Sequence, residues 1–390
     1  MKELTYRLYG FIFCILKLFP IKKKKVLLYM MHNSNFKDNL KSVYEEMKQR
    51  DSSLCFVVIS KKELFHCKSN HKILRFMKTI QGTFSFYVVL NYHFATSQYI
   101  CLNDNFLPLA YMKLKEATKL VQLWHGVGAF KKFGLSTEQD PLVRKLVSKG
   151  NQQLDYLFVS SQNNIPCYAQ AMGIDKKHIY ATGIPVTDYY YQKQNHKNAL
   201  AKLYHKYPMA KGKKVILYVP TFRKTEAENN AILQKFDTGL LSEALGEEYV
   251  IMVRMHPQIQ PSSMTMTMDY INVTNYDDVK ELYLLADLLI TDYSSTVVEY
   301  ALLDKPMVFY AYDLEEYDRG FYDSYEEYVP GIIARNMEGL TTAITASMAR
   351  GGNAAFERKR EKFLARHYDY LDGKSTQRVV DTMLNQSSIT

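Results

Sequence analysis

Two histidines in this chain close apolar runs, and both have neighbours suited to proton transfer or anion binding. In Val121-Gln122-Leu123-Trp124-His125-Gly126-Val127-Gly128 an apolar run stops at His125 and glycines follow. An imidazole titrates near neutrality, which suits a general base that takes a proton from a hydroxyl. Gly126 and Gly128 would let backbone approach a ligand. The same pattern also fits a structural histidine before a glycine turn. Lys131 and Lys132 follow closely and read either as phosphate contacts or as solvated surface. In Met252-Val253-Arg254-Met255-His256-Pro257 a second run ends in a basic residue, a histidine and a proline. Arg254 and His256 alternate, so an extended backbone puts them on one side. His256 could then donate to a pyrophosphate oxygen or protonate a leaving phosphate, or could pack as a core residue.

Two further stretches carry anion chemistry. Val219-Pro220-Thr221-Phe222-Arg223 delivers Arg223 to a strand end, where its planar fork suits phosphate; a surface arginine after a proline turn is the plainer alternative. The most specific stretch runs Leu288-Leu289-Ile290-Thr291-Asp292-Tyr293-Ser294-Ser295-Thr296-Val297-Val298-Glu299. Ser294, Ser295 and Thr296 suit a helix start, where free N–H groups favour an anion such as a diphosphate. Glu299 could accept from a ribose, although Thr296-x-x-Glu299 also fits a capping box. A fifth stretch, Tyr310-Ala311-Tyr312-Asp313-Leu314-Glu315-Glu316-Tyr317 with Arg319-Gly320-Phe321-Tyr322 behind it, reads as a loop over a site or as an ordinary connection.

The elements that must hold these residues alternate strand and helix. Strands are expected at Lys25–Met31, Leu54–Ser60, Ala95–Ile100, Leu120–Trp124, Tyr156–Ser160 and Ile179–Thr182. A second set is expected at Val215–Val219, Tyr249–Val253, Tyr270–Thr274, Leu288–Thr291 and Met307–Tyr310. Helical patterns such as Lys37–Arg50 lie between them, which argues for α/β architecture: two Rossmann-type domains with parallel sheets facing a central cleft. Ligands in such sheets sit at the carboxyl ends of strands, where all four chemical stretches fall. The expected division is an apolar and basic N-terminal segment 1–24, a domain 25–191, a polar, helix-compatible linker 192–214, a domain 215–365 and a C-terminal helix 366–390, within a helical tail starting near Asn353.

Bulk composition agrees with a folded two-domain protein. The chain has 390 residues, 47% hydrophobic and 23% charged. Its formal net charge of +10 suits nucleic acid, anionic lipid or a phosphate-rich substrate. The 31 tyrosines fit cores and membrane interfaces as readily as base stacking. Five cysteines with no C-x-x-C pair argue for reduced thiols, without zinc or a disulfide framework, and for a cytosolic location. Leu8 to Phe19 is nearly all apolar and precedes Pro20 and Lys22 to Lys25. That run is short of the about 20 residues of a membrane span, and no small-residue cleavage site follows. It reads as an interfacial helix with lysines on anionic lipid, or as a packed N-terminal helix followed by a basic turn.

The order of the motifs is more specific than any one of them. Trp-His-Gly, Pro-Thr-Phe-Arg, Arg-x-His-Pro, Thr-Asp-Tyr-Ser-Ser, then Lys-Pro followed by Tyr-x-Tyr-Asp-Leu-Glu-Glu-Tyr, resembles the CDP-glycerol glycerophosphotransferase family over about residues 25–370. The resemblance implies a GT-B-like fold of two Rossmann-type domains. It also implies transfer of glycerol phosphate or ribitol phosphate from CDP-glycerol or CDP-ribitol to a hydroxyl of a lipid-linked teichoic acid precursor, with release of CMP. The implied acceptor is undecaprenyl-diphosphate-linked, and the implied setting is peripheral, on an anionic membrane surface at the cytoplasmic face. By resemblance His125 matches the catalytic base and His256 a second essential histidine. Gly126 follows that base; Arg223, Arg254, Thr291, Asp292, Ser294, Ser295 and Glu299 match positions around nucleotide and pyrophosphate. No cofactor or metal is required in this reading, and a bound Mg²⁺ is compatible with it. Where many members read His-Gly-Thr-Pro-Leu-Lys, this chain reads His125-Gly126-Val127-Gly128-Ala129-Phe130-Lys131, closer to the ribitol-type and single-addition branch. Gly183-Ile184-Pro185-Val186-Thr187-Asp188 lacks the Arg-Asn pair of the common Gly-x-Pro-Arg-Asn-Asp. The competing expectations are a GT-B glycosyltransferase using a UDP- or GDP-sugar and a non-catalytic binder of anionic polymer. Nucleic acid is not an expected partner, because a mere binder leaves the ordered histidines unexplained.

Overall fold

The computed structural model describes residues 2–31, 35–67, 71–256, 269–317, 319–349 and 354–385. Pro257 and Asn353 therefore lie outside the described residues. The chain forms two compact units, one of residues 1–128, 132–188 and 368–390, the other of residues 129–131 and 189–367.

The first unit holds a six-stranded sheet in the order β2-β1-β3-β4-β5-β6. Its strands are β1 (Lys22–Met30), β2 (Cys55–Ser60), β3 (Ser97–Leu102), β4 (Lys119–Gln122), β5 (Tyr156–Val159) and β6 (Ile179–Ala181). The second unit repeats the plan in the order β12-β11-β10-β7-β8-β9. Here the strands are β7 (Lys214–Val219), β8 (Tyr249–Val253), β9 (Ile271–Asn272), β10 (Leu288–Thr291), β11 (Met307–Tyr310) and β12 (Ile332–Ala334). All named pairings are parallel. Parallel strands are covered on both faces, which is why they read as continuous β-branched and aromatic runs and were legible as such. The expected α/β class with two Rossmann-type sheets is what the molecule shows.

The segment 192–214, expected as a helix-compatible linker, is mostly a helix, Lys193–Lys206, that buries Ala199 and Leu203 and belongs to the second unit. Its Lys202 ammonium pairs with Glu281 at 2.7 Å. The tail is two helices rather than one: Ala354–His367 in the second unit and Ser375–Asn385 in the first. Asp188 fixes the start of the latter, accepting from the backbone N–H of Ser375 and Thr376, both at 2.8 Å. The four-lysine run enters strand β1 instead of forming a free basic turn. Lys24 pairs with Asp51 at 3.2 Å, and Lys25 is buried over the Tyr92 ring, where burial lowers its pKa to about 8. Finally, β12 was not expected, since three residues carry too little pattern to read.

The N-terminal helix Lys2–Leu16 is apolar on two faces. Tyr9 and Phe13 are buried, Tyr9 against the rings of Phe86, Tyr87 and Phe106. Leu4, Leu8, Phe11 and Ile15, spaced four, three and four residues apart, point outward, and Leu18 and Phe19 beyond them are exposed too. The helix Lys72–Phe84 repeats this, with Ile73, Phe76, Met77, Ile80 and Phe84 exposed. Among the described residues no helix is long and apolar enough to cross a membrane.

Candidate active site

In the first unit, β4 ends at Gln122 and the chain turns sharply through Trp124 and His125. Trp124 sits in the left-handed region, at φ 52, a conformation that costs a non-glycine residue about 1–3 kcal/mol and persists only where neighbours enforce it. The neighbours here are specific. The Asn39 amide donates to the carbonyls of Leu123 (3.2 Å) and Trp124 (3.0 Å), while its oxygen accepts from the Val186 N–H (2.7 Å). The Gln122 side chain accepts from the Trp124 N–H at 3.0 Å, and the Tyr168 hydroxyl donates to the carbonyls of Gly126 (3.3 Å) and Gly128 (3.0 Å).

The His125 ring lies against the Trp124 indole with centroids 4.3 Å apart, and its side chain is 55% exposed. Its Nδ1 faces the Asn103 carbonyl at 3.3 Å and the Asp104 carboxylate at 3.8 Å. With the proton on Nδ1, that nitrogen donates backward and Nε2 is left to accept a proton. Asp104 was not singled out in the sequence. Its only signal was the polar triplet Asn103-Asp104-Asn105 after the apolar β3. A Cβ on Gly126 would meet only Trp124 atoms, at 3.5 and 3.6 Å, so packing does not demand glycine there.

In the second unit the strand tips carry a different assembly. Arg223 is buried between two carboxylates. Its Nε donates to Asp313 at 2.7 Å, its Nη2 to Asp292 and Asp313, both at 3.0 Å, and its Nη1 to the Thr221 carbonyl at 2.6 Å. Burial alone would lower its pKa; its hydrogen bonds to Asp313 and the charges of Asp292 and Asp313 raise it instead. The guanidinium expected as a phosphate fork is thus engaged in tying the tips of β7, β10 and β11 together. Asp292 is buried and also accepts from the N–H groups of Thr221 (2.8 Å) and Tyr293 (2.5 Å). Thr291 is buried too, donating to the Val219 carbonyl at 2.8 Å. Arg223, Asp292 and Thr291 are positioning residues in this arrangement.

The cations that face one another are others. Arg254 donates to the carbonyls of Val273 (3.2 Å) and Tyr276. His256 stacks on Phe222 at 4.6 Å, and Arg319 lies over the same ring at 5.1 Å. Burial, then the charges of Lys131, Arg254 and Arg319, push the His256 pKa down. Lys131, bridged to Phe321, is lowered to about 8 by burial and by Arg319, against the opposing pull of Asp292. Lys131 is therefore no solvated lysine, whereas Lys132 is exposed. Lys131, Arg254 and Arg319 each disfavour the protonated form of His256, so positive charge gathers around that ring.

The helix start at residues 294–296 also differs from its expectation. Ser295 is the exposed residue before the short helix Thr296–Tyr300, and the Ser294 hydroxyl donates to Thr296 Oγ1 at 2.8 Å. No capping box forms; the Glu299 carboxylate accepts from the Tyr190 hydroxyl at 2.8 Å. Among the described residues no group of three or more His, Cys, Asp or Glu side chains is placed to hold a metal ion, and Asp292 and Asp313 are already taken by Arg223.

The chain is 32% identical over 391 residues to the teichoic acid poly(ribitol-phosphate) polymerase of Bacillus spizizenii, covering 98% of this chain but 60% of that protein. It is 33% identical over 376 residues to the teichoic acid ribitol-phosphate primase of the same species, covering 93% of this chain and 92% of that one. A variant of the wall teichoic acid polymerase TagF superposes with a TM-score of 0.79 at 25% identity, covering all of this chain and 96% of that one, which gives the fold its GT-B-like kinship. The profile described as CDP-Glycerol:Poly(glycerophosphate) glycerophosphotransferase matches residues 11–385, and the chain belongs to that family.

Proposed function

We propose that the protein moves glycerol phosphate or ribitol phosphate from a CDP-polyol to a hydroxyl of a lipid-linked teichoic acid precursor, releasing CMP. The observation that carries this reading is the His125 turn: an exposed imidazole, backed by Asn103 and Asp104, on a backbone held in a strained conformation by Asn39, Gln122 and Tyr168. His125 Nε2 accepts the proton of the acceptor hydroxyl. The resulting oxygen attacks the β-phosphorus of the donor, and the bond to CMP breaks with its electron pair on the departing phosphate oxygen. Such transfers need positioning and charge neutralisation more than covalent catalysis. Lys131, Arg254 and Arg319 supply positive charge for the diphosphate, and His256, held neutral, offers an N–H without adding to it.

The outward apolar rows of Lys2–Leu16 and Lys72–Phe84 support peripheral attachment to an anionic membrane, at the cytoplasmic face where CDP-polyols and lipid-linked precursors would meet. Membrane embedding would cover both rows. Lys22, Lys23 and Lys24, the exposed members of the lysine run, suit the headgroup layer.

The test is CMP release by purified protein given a primed lipid-linked acceptor with CDP-ribitol or CDP-glycerol. Both relatives named above are ribitol-phosphate enzymes, which makes CDP-ribitol the first donor to try. Release with one donor identifies the polyol, and product length separates a primase from a polymerase. Silence with both, while a UDP- or GDP-sugar is consumed, would replace this reading with sugar transfer.

A further inference from the structure

The first unit contains a cavity of about 320 Å³ that the transfer chemistry does not use. Its size is that of a small-ligand site, and its wall is mostly apolar, with Tyr6, Phe86, Leu107 and Val143 among the lining residues. Tyr6 lies on the helix Lys2–Leu16, and Phe86 on the turn that continues Lys72–Phe84. The wall thus draws on one helix with an outward apolar row and on the turn that follows the other. At one end Lys61, whose ammonium lies 5.5 Å over the Phe86 ring, is shared with a neighbouring open pocket that also holds Lys62 and His66. Another wall residue, Asn105, is next in sequence to Asp104, the carboxylate behind His125. Glu138 also lines the cavity; its carboxylate accepts from the Asp140 N–H at 2.8 Å.

Sheet order sets these groups in a row. Lys61 follows β2, Met31 follows β1, Asn103–Asn105 follow β3 and His125 follows β4, in the spatial order β2-β1-β3-β4. Three strand spacings of about 4.8 Å separate the basic end from the histidine, roughly 14 Å. A ligand matching this layout has an anionic junction at Lys61, an apolar arm in the cavity, and a polar arm long enough to bring a hydroxyl to His125.

We propose that this cavity receives the first isoprene units of a prenyl-diphosphate-linked acceptor, with the diphosphate on Lys61, Lys62 and His66. The assignment rests on reading the protein as a transferase to a lipid-linked acceptor. It places on named residues the part of the acceptor that does not react. A membrane phospholipid shares the apolar chain and the anion but has no glycan arm to reach His125, which favours the prenyl diphosphate.

The probe is farnesyl diphosphate, titrated calorimetrically into the full chain without any CDP-polyol. Saturable binding is expected, with farnesol and inorganic diphosphate each weaker by about tenfold or more, since each lacks one half of the match. Val143→Trp, which fills the cavity, and Lys61→Glu, which reverses the junction charge, should each weaken farnesyl diphosphate by about tenfold. Thermal melting is followed in parallel; should Val143→Trp fail to fold, Lys61→Glu carries the test. Absence of saturable binding, wild-type affinity in a folded variant, or equal competition by dodecyl phosphate would overturn the proposal. Lack of CMP release from either CDP-polyol would instead overturn the transfer reading, and the two failures are separable because the binding mixture contains no donor.

Discussion

His125 and His256 both follow strands of six-stranded parallel sheets, yet the chain surrounds them with opposite charge. His125 is exposed, with the Asp104 carboxylate 3.8 Å behind Nδ1. His256 is half-buried on Phe222, in the field of Lys131, Arg254 and Arg319. A carboxylate behind an imidazole stabilises the ring once it has taken a proton; surrounding cations keep the ring from taking one. Position at a strand tip therefore does not define a histidine's task. The counter-charge does, and under the proposed transfer it would make His125 the base and His256 a neutral hydrogen-bond donor.

The sharpest way to break that contrast is to remove each ring. His125→Ala should lower turnover by about 10²–10⁴-fold, the usual share of general base catalysis, with CDP-polyol affinity nearly unchanged. His256→Ala should instead weaken the donor. CMP release and calorimetric titration of both variants check this, and equal loss of donor binding in the two would dissolve the distinction.

A second contrast lies between arginines. Arg223 is engaged with Asp292 and Asp313 through its side chain, whereas Arg254 donates to the backbone carbonyls of Val273 and Tyr276, and burial lowers its pKa against the opposing pull of Tyr283, Asp278 and Asp277. Arg223→Ala leaves two buried carboxylates without their partner and should cost about 3–5 kcal/mol of stability, read by denaturant unfolding. Arg223→Lys should recover only part of this, because an ammonium cannot replace the planar fork. A loss of donor affinity with no change in stability would return Arg223 to the role of phosphate ligand.

These pairings mark where sequence reading ran out. The strands were legible because parallel strands are buried on both faces and show as β-branched and aromatic runs, and the candidate residues were picked out because they follow those runs at the strand ends. Residues 192–214 read as a polar, helix-compatible linker, and the helix Lys193–Lys206 found there buries only Ala199 and Leu203. Lys131 read as surface because what buries it, the segment around Arg319 and Phe321, comes nearly two hundred residues later. Asp104 and Asp313 were missed as functional groups for the same reason: each acts on a partner far along the chain. Local pattern shows which backbone a residue sits on, while its charge partners are a property of the fold.

Lys131 sharpens the cation side of the comparison through pH. Burial, then Arg319, holds its ammonium near a pKa of about 8. Its charge is present below that value and lost as pH rises through it, so donor affinity should be highest below pH 8 and decline above. One charge-assisted contact corresponds to roughly tenfold. Donor titration at several pH values should show this fall in the wild type and a flat profile in Lys131→Arg. Lys131→Met should bind weakly throughout. Because a bound diphosphate favours the charged form, binding above pH 8 should take up protons, which calorimetry in buffers of different ionisation enthalpy detects.

The smallest effect concerns two glycines of the His125 turn. Gly128 has φ 68, where a side chain is strained, so Gly128→Ala should destabilise the first unit by about 1 kcal/mol. Gly126 is not in the left-handed region, and a Cβ there would make only ordinary contact with Trp124. Gly126→Ala should melt within about 0.5 kcal/mol of the wild type. If its glycine serves the approach of an acceptor beside His125, the same variant should raise KM for the acceptor while the fold stays intact. An alanine at 126 that folds and turns over like the wild type would leave His125 and Asp104 as the working part of the turn and remove Gly126 from the site.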